Sequence, residues 1–495
     1  MKNIALLLLS LFLLCINNPI LAQDNHYWSQ QFGARSALMG GAVVGSVRDN
    51  SAVYYNPAAV SMIEFPSISV TANVYKYDIF SMRNGAGRGI NLNSERLSLF
   101  PQLISGVRSF KNNNVLKWGY ALLTRHQANL FIDQRHETFY DVMSGLSGLE
   151  EFIGIFQYRS SMNELWGGLT LSWRPKKNWA IGVTQFFTYR NQNYINLAER
   201  TCIPANITQS TYFVATANNN ASVLINHFGM VWKLGIAYDS PHWKAGVTVT
   251  SPSVTIYGSG KVDREISSNF VGTYLSPNTA PNFTATAEQS NNHLTFKSPL
   301  SVAFGLEYTH KKTHVSFALE YFNSMTGYRI ISSDKSAFFR PSTLNESILG
   351  QNWNATEFLS VTTQAIEVWN FAIGIEQGLS EKVNLLLGFR TDRDAYGRRN
   401  SDPRTISLAP TAWDLFHASA GVSFKKGRDV VTLGVNFAFS ESKSNRQFIS
   451  YSDPKDTRLL LGIADNTADI SNQAYNLIVG FTRFLQKENP NNSKE

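Results

Sequence analysis

The order of short and long connections constrains this chain more than any single motif. From Pro66 onward apolar residues recur with period two, in runs of about ten residues or more. The runs fall at roughly 66–80, 97–109, 115–131, 164–174, 178–194, 222–239, 242–258, 293–310, 313–324, 366–378, 383–393, 412–425, 428–442 and 473–485. Six connections are short and turn-like, at 111–114, 175–178, 239–242, 311–312, 380–382 and 425–428. Seven long excursions separate them, near 81–96, 132–163, 195–221, 259–292, 325–365, 394–411 and 443–472, so long alternates with short throughout. An up-and-down membrane barrel has this layout, with an even number of strands, tight turns at one end and long loops at the other. A Greek-key sandwich does not alternate so regularly. The expectation is an all-β fold, a 14-stranded antiparallel transmembrane β-barrel.

The two faces of the runs agree with that reading. Val431, Leu433, Val435, Phe437 and Phe439 point one way, and Thr432, Gly434, Asn436, Ala438 and Ser440 the other. Tyr475, Leu477, Val479 and Phe481 repeat the pattern, as do Val315, Phe317, Leu319 and Tyr321. A greasy face opposite a small or polar one suits lipid outside and a polar or crowded lumen. Trp118, Trp173, Trp179 and Trp243 each lie within a few residues of a short turn, where an interfacial aromatic girdle belongs. Beyond the first residues no stretch of about 18 apolar residues exists, so a spanning helix is excluded and a closed barrel is the remaining way across a bilayer.

Residues 1–22 read as a cleaved signal peptide: Lys2 supplies the charged start, an apolar core follows, and Ile20-Leu21-Ala22 supplies the cleavage site. Export to the outer membrane of a Gram-negative cell follows. Without that leader Cys202 is left alone, which excludes an internal disulfide, a redox pair and a zinc cluster. The net charge of +8 is scattered without a basic face, so nucleic acid is not an expected partner. The organisation expected is a leader at 1–22, an N-terminal segment at 23–65, the barrel at 66–485 and a polar tail at 486–495.

The segment at 33–62 is too rich in Gly and Ala for an ordinary strand. Gly33, Gly40, Gly41 and Gly45 permit close backbone approach, and Asn56-Pro57 starts a turn. A compact knot of turns folded inside the barrel is expected. Gly33-Ala34-Arg35, Met39-Gly40-Gly41-Ala42 and Ser51-Ala52-Val53-Tyr54-Tyr55-Asn56-Pro57-Ala58 resemble the N-terminal hatch of the FadL/TodX family of outer-membrane hydrophobic-compound channels. The resemblance implies a hatch, or plug, in the lumen of a 14-stranded barrel. It also implies passive uptake of hydrophobic small molecules such as long-chain fatty acids, captured at the outer loops and released sideways near the hatch. The same family includes a carrier barrel of type IX secretion systems, which makes protein-cargo transport the alternative. The partners implied are a fatty acid, aromatic hydrocarbon or similar ligand, outer-membrane lipid and the barrel-assembly machinery, with the protein monomeric.

Three groups of residues are candidates for that function. Phe139, Val142, Met143, Leu146, Leu149, Phe152, Ile153 and Phe156 recur at intervals of three and four. That spacing predicts an amphipathic helix in the second long excursion, whose apolar face is assigned to substrate capture. Thr124, Arg125, His126 and Gln127 interrupt a strand whose outer face should meet lipid. Charge there costs about 2–4 kcal/mol at the midplane, so the segment is expected to bend or turn inward; the resemblance places the family's lateral opening in this strand. In the hatch, Arg35 and Asp49 are expected to pair with each other or with the wall, while Gly40, Gly41, Asn56, Pro57 and Ala58 set its turns. No catalytic constellation and no metal or cofactor site is expected: His310 and His314 straddle a turn, and Gly145-Leu146-Ser147-Gly148 lacks the glycine spacing of a nucleophile elbow.

Overall fold

The computed structural model describes residues 26–110, 113–204, 214–271, 282–334, 338–340, 355–395, 405–408 and 413–485. The leader and the polar tail lie outside the described residues. The wall begins with six long strands: β1 (Ser67–Arg83), β2 (Leu92–Phe110), β3 (Asn113–Tyr140), β4 (Glu150–Lys176), β5 (Trp179–Pro204) and β6 (Ala215–Asp239). The seventh is broken into β7 (Trp243–Thr250) and β8 (Val254–Asn269), and the eighth into β9 (Phe283–His293) and β10 (Ser301–His310). After β11 (Thr313–Phe322) the chain makes β12 (Met325–Ile331), β13 (Phe339–Arg340) and β14 (Val361–Ala365), and returns to the wall as β15 (Val368–Gly378) and β16 (Val383–Asp392). The two-residue β17 (Ile406–Ser407) precedes β18 (Leu415–Lys426), β19 (Asp429–Asn445) and β20 (Ala468–Phe484). Neighbours pair antiparallel, and β1 closes the ring on β20 from Ser67↔Phe484 to Arg83↔Asp469. The wall is a closed 14-strand antiparallel barrel, and β12, β14 and β17 form a small separate sheet.

The outer surface is that of a membrane barrel. Leu169, Leu171, Ile181, Val183, Leu234 and Ile236 are exposed on neighbouring strands, and Trp173, Trp179 and Trp243 sit exposed toward the short turns. Tyr189, Phe228 and Tyr257 are exposed at the other end of the same band. An apolar belt between two aromatic girdles is the surface a bilayer requires. A spanning strand needs only about 9–11 residues, yet β3, β4, β5 and β6 run 25–28 residues. The excursions between β3 and β4 and between β5 and β6 therefore largely continue the wall strands beyond the membrane. Protease applied to intact cells is expected to cut in these long outer hairpins; cuts at Lys176 or Lys426, in the short turns, would refute the orientation.

The helix expected over 139–156 is not formed. β3 runs to Tyr140, β4 starts at Glu150, and a loop joins them. From Glu150 burial alternates with period two: Phe152 and Phe156 point inward, while Ile153 and Ile155 lie at the half-buried alternate positions. The three-and-four spacing arose because an apolar loop lies between two alternating strands, and Gly148 at φ +117° breaks any helix there. Val142, Met143, Phe152 and Phe156 join a buried outer core with Met82, Leu92, Phe358 and Tyr451. Cys202 lies in the same core; burial pushes its thiol up to about 12, helped by the nearby Glu150 and Asp456 carboxylates.

The lumen below that core is filled by residues 26–63. Short helices at Ala34–Leu38 and Ala52–Tyr55 and a 3-10 turn at Pro57–Met62 are joined by tight turns, and nearly every residue is buried. Small inward residues on the wall make the room. A Cβ added to Gly182 would stand 2.5 Å from the Pro57 carbonyl carbon, and one on Gly374 would stand 2.6 Å from the Met39 oxygen. Gly235, Gly246, Gly305, Gly388, Gly421, Gly434 and Gly480 meet the segment in the same way. Eight of these glycines face each other across strand pairs: Gly182↔Gly235, Gly246↔Gly305, Gly374↔Gly388 and Gly421↔Gly434. The segment is seated in a belt from which side chains have been removed.

Candidate functional site

Charge and amide bonds hold the lumen segment to the wall. Arg35 donates from Nε and Nη2 to Glu376 Oε2 on β15, at 3.0 and 2.5 Å. Arg48 pairs with Glu307 on β10 and reaches Glu376 at 3.6 Å. Glu307 also accepts from Ser316 at 2.9 Å, and Glu376 from Asn384 at 2.8 Å. Arg35 thus pairs with the wall rather than with Asp49, which accepts from Ser36 and from the Ser51 backbone inside the segment. Sequence reading had not singled out Arg48. Asn56 donates to the carbonyls of Val44 and Ile236, both at 3.0 Å, and accepts from Ala58 N at 3.1 Å. One amide therefore fixes the Asn-Pro turn and fastens it to β6. Gly40 and Gly41 adopt positive φ of 67° and 81° where the chain reverses.

At the strand marked by Thr124, Arg125, His126 and Gln127 the wall is incomplete. The β2–β3 ladder runs from Phe110↔Asn113 to Leu103↔Leu123 and stops. Beyond it β2 pairs with β1 and β3 with β4. Pro101, which has no N–H to offer, stands at the point of separation. Side chains bridge the gap: Thr124 Oγ1 donates to Pro101 O at 2.7 Å, Phe131 N donates to Ser94 Oγ at 3.1 Å, and the Arg96 guanidinium lies 4.1 Å over the Phe131 ring. Arg125 occupies a register shift in the β3–β4 ladder and points inward, donating to Tyr27 O at 2.7 Å. A cavity behind the gap is lined by Lys76, Asp78, Arg96, Gln127 and Asn129 together with Phe80, Leu130, Tyr158, Trp413 and Leu415, so charged and apolar side chains share this part of the lumen.

A second cavity lies where the lumen segment meets the outer core. Tyr27, Tyr54, Trp166, Phe296, Phe322 and Tyr328 line it, with Met162 and Met325. Tyr27 stacks on Phe322 at 4.3 Å. The charged groups at its edge are tied down: Glu164 accepts from Trp166 and Arg190 at 2.6 Å each, and Glu320 from Trp28 and Ser301 at 2.6 Å each. Lys233 lies 4.1 Å over Tyr54, and Arg190 lies 3.9 Å over Phe296. Aromatic faces and methionine sulfur give an adaptable apolar surface with a few cations above the rings. Of the residues marked in the sequence, Arg125 and His126 reach this cavity. The eight residues assigned to capture do not line it. Its six aromatics were missed because they come from separate parts of the chain, and none forms a motif.

Among the described residues no three His, Cys, Asp or Glu side chains stand close enough to hold a metal ion. No family model matches the sequence, and no relative is found among curated proteins. Solved structures do match. A Pseudomonas aeruginosa FadL homologue is similar at 10% identity and TM-score 0.54, over 95% of this chain and 100% of its own. The P. putida toluene transporter TodX is similar at 12% identity and TM-score 0.58, over 92% and 99%. The Ralstonia pickettii toluene transporter TbuX is similar at 12% identity and TM-score 0.54, over 92% and 100%. Across nearly its whole length, then, the chain has the fold of the FadL and TodX barrels.

Proposed function

We propose that the protein is a passive outer-membrane channel for hydrophobic small molecules, long-chain acyl or aromatic, and that residues 26–63 act as its hatch. The observation that carries this reading is the aromatic cavity resting on a filled lumen: an apolar solute is offered aromatic faces with no straight path below them. Phe139 and Leu149 are exposed at the outer end, and the loop between them is fastened to the 453–463 loop, where Leu459 and Ile463 are exposed. These four side chains supply the first apolar contact; Val142, Met143, Leu146, Phe152, Ile153 and Phe156 support it from beneath or beside. Release is sideways, since an apolar solute passing from protein into lipid never meets water. The gap at Thr124, Arg125, His126 and Gln127 is one such exit.

The test is uptake of radiolabelled oleate and of toluene by a host stripped of its own hydrophobic-compound channels. Expression should raise uptake of at least one probe. Tyr328→Asp, which places a carboxylate in the cavity, should abolish most of the gain while heat-modifiable migration of the barrel persists. Uptake no higher than in the vector control would end the channel reading.

A further inference from the structure

The seventh and eighth wall strands are both interrupted at one level. Residues 251–253 separate β7 from β8, and residues 294–300 separate β9 from β10. Each interruption holds a proline, Pro252 and Pro299, so neither can complete a ladder. Serine and threonine side chains take the ladder's place. Ser253 N donates to Ser298 Oγ at 2.9 Å and Ser298 N to Ser253 Oγ at 2.8 Å, a reciprocal pair. Ser253 Oγ and Thr255 Oγ1 each donate to Phe296 O at 3.3 Å, and Ser251 Oγ accepts from Trp232 N at 3.0 Å.

This break lies in the apolar belt. On the neighbouring strand Lys233 is level with Thr250 and Met230 with Val254, while exposed Phe228 and Tyr257 mark the girdle above. Backbone that leaves the ladder at membrane depth is tolerated where it is satisfied locally and lines a cavity. Here both conditions hold, because Phe296, Lys297, Ser298 and Pro299 of the interruption line the aromatic cavity. Phe296, itself part of the break, lines the cavity with its ring against Arg190 and 5.6 Å from the His227 ring. The gap between β2 and β3 opens on a different cavity, lined by Lys76, Asp78 and Arg96. The cations nearest Phe296 in the aromatic cavity are Arg190 and Lys297; Arg190 is paired with Glu164 and covers the Phe296 ring.

We infer that the paired interruption at 251–253 and 294–300 is a second lateral port. Through it an apolar aromatic or acyl compound passes from the aromatic cavity into the bilayer, with Phe296 as its leaf and the Ser253–Ser298 pair as its latch. Two hydroxyl-to-backbone bonds can part without unzipping a strand, and the exposed groups can re-pair with neighbouring carbonyls. The inference rests on the channel reading for its transport role. Its structural content, lipid contact at the break, does not depend on transport.

The test uses the full chain in a Cys202→Ala background. The reciprocal bonds place Ser253 and Ser298 side by side, so Ser253→Cys with Ser298→Cys should form a disulfide. Oxidation is expected to cut uptake of oleate or toluene about fivefold or more, as closing a rate-controlling gate does, with recovery on reduction. Locking the other gap with Ser94→Cys and Phe131→Cys closes the first exit alone and should lower uptake by less than the Ser253→Cys/Ser298→Cys lock does. Full uptake by the oxidised Ser253→Cys/Ser298→Cys protein overturns the port, as does loss of uptake confined to the other lock. A nitroxide on Ser298→Cys in reconstituted bilayers gives a readout free of transport. Relaxation by oxygen well above that by a water-soluble nickel chelate is expected; a label reached mainly by nickel, or by neither, overturns the port even if no uptake is measured.

Discussion

Replacing Gly182 by leucine should unseat the lumen segment while leaving the barrel intact. A Cβ at this position would stand 2.5 Å from the Pro57 carbonyl carbon and oxygen and 2.6 Å from Ala58 N. Those atoms are backbone, fixed by Asn56 to β6 and to Val44, so no rotamer change relieves the contact. Overpacking a core costs about 1–3 kcal/mol where side chains can adjust; here the segment as a whole must move. Limited trypsinolysis of purified protein, read by mass spectrometry, should then show cleavage after Arg35 and Arg48, which the wild type resists. Gly167→Leu is the matched comparison, because a Cβ there meets nothing within 4 Å. Equal protection in both variants would show that the glycine belt does not seat the segment.

The same belt shows how much of the fold was legible. Fourteen strands and their alternating connections could be read from period two alone, because a wall with lipid on one side repeats a greasy position every second residue. The triplets Ile181-Gly182-Val183, Leu234-Gly235-Ile236, Ala245-Gly246-Val247, Phe304-Gly305-Leu306, Ile373-Gly374-Ile375, Leu387-Gly388-Phe389, Ala420-Gly421-Val422, Leu433-Gly434-Val435 and Val479-Gly480-Phe481 were equally visible. One apolar–Gly–apolar triplet per strand states that something fills the lumen at that height, and it was not read. The helix expected over 139–156 failed for the opposite reason: an apolar loop between two strands of alternating polarity produces a three-and-four spacing by coincidence. The aromatic cavity had no local signal, since Tyr27, Trp166, Phe296 and Tyr328 are brought together by closure of the ring.

The bend expected at Thr124, Arg125, His126 and Gln127 and the break at Ser253 and Ser298 share one physical rule. A proline in a wall strand removes a ladder donor, and in hydrocarbon the unmatched carbonyl must find another partner. Pro101 is met by Thr124, and the Pro252 and Pro299 breaks by Ser251, Ser253, Ser298 and Thr255. A strand proline followed by Ser or Thr, as in Pro252-Ser253 or preceded by one as in Ser298-Pro299, is therefore a readable sign of an interrupted barrel wall. Only the first of these sites was marked in advance, because Arg125 drew attention to it by charge.

Glu376→Ala should loosen the lumen segment more than any other single loss of charge. Arg35 is mostly buried, and its guanidinium donates twice to Glu376 Oε2. Removing the carboxylate leaves Arg35 enclosed without its partner, which in buried pairs costs about 3–5 kcal/mol. Arg48 keeps Glu307, so the loss falls on the 33–38 turn. At about 1.4 kcal/mol per factor of ten, amide exchange of residues 34–38 should rise about a hundredfold or more if opening of the segment limits exchange. Exchange in β19 and β20 should stay as in the wild type. The double variant Arg35→Met/Glu376→Met, which removes both charges and keeps the volume, should regain most of the protection, because neutral packing replaces a buried pair at little cost. If Glu376→Ala leaves exchange at 34–38 unchanged, the charge pair is not what holds the lumen segment; if the double variant exchanges as fast as the single, lost packing rather than orphaned charge is the cause.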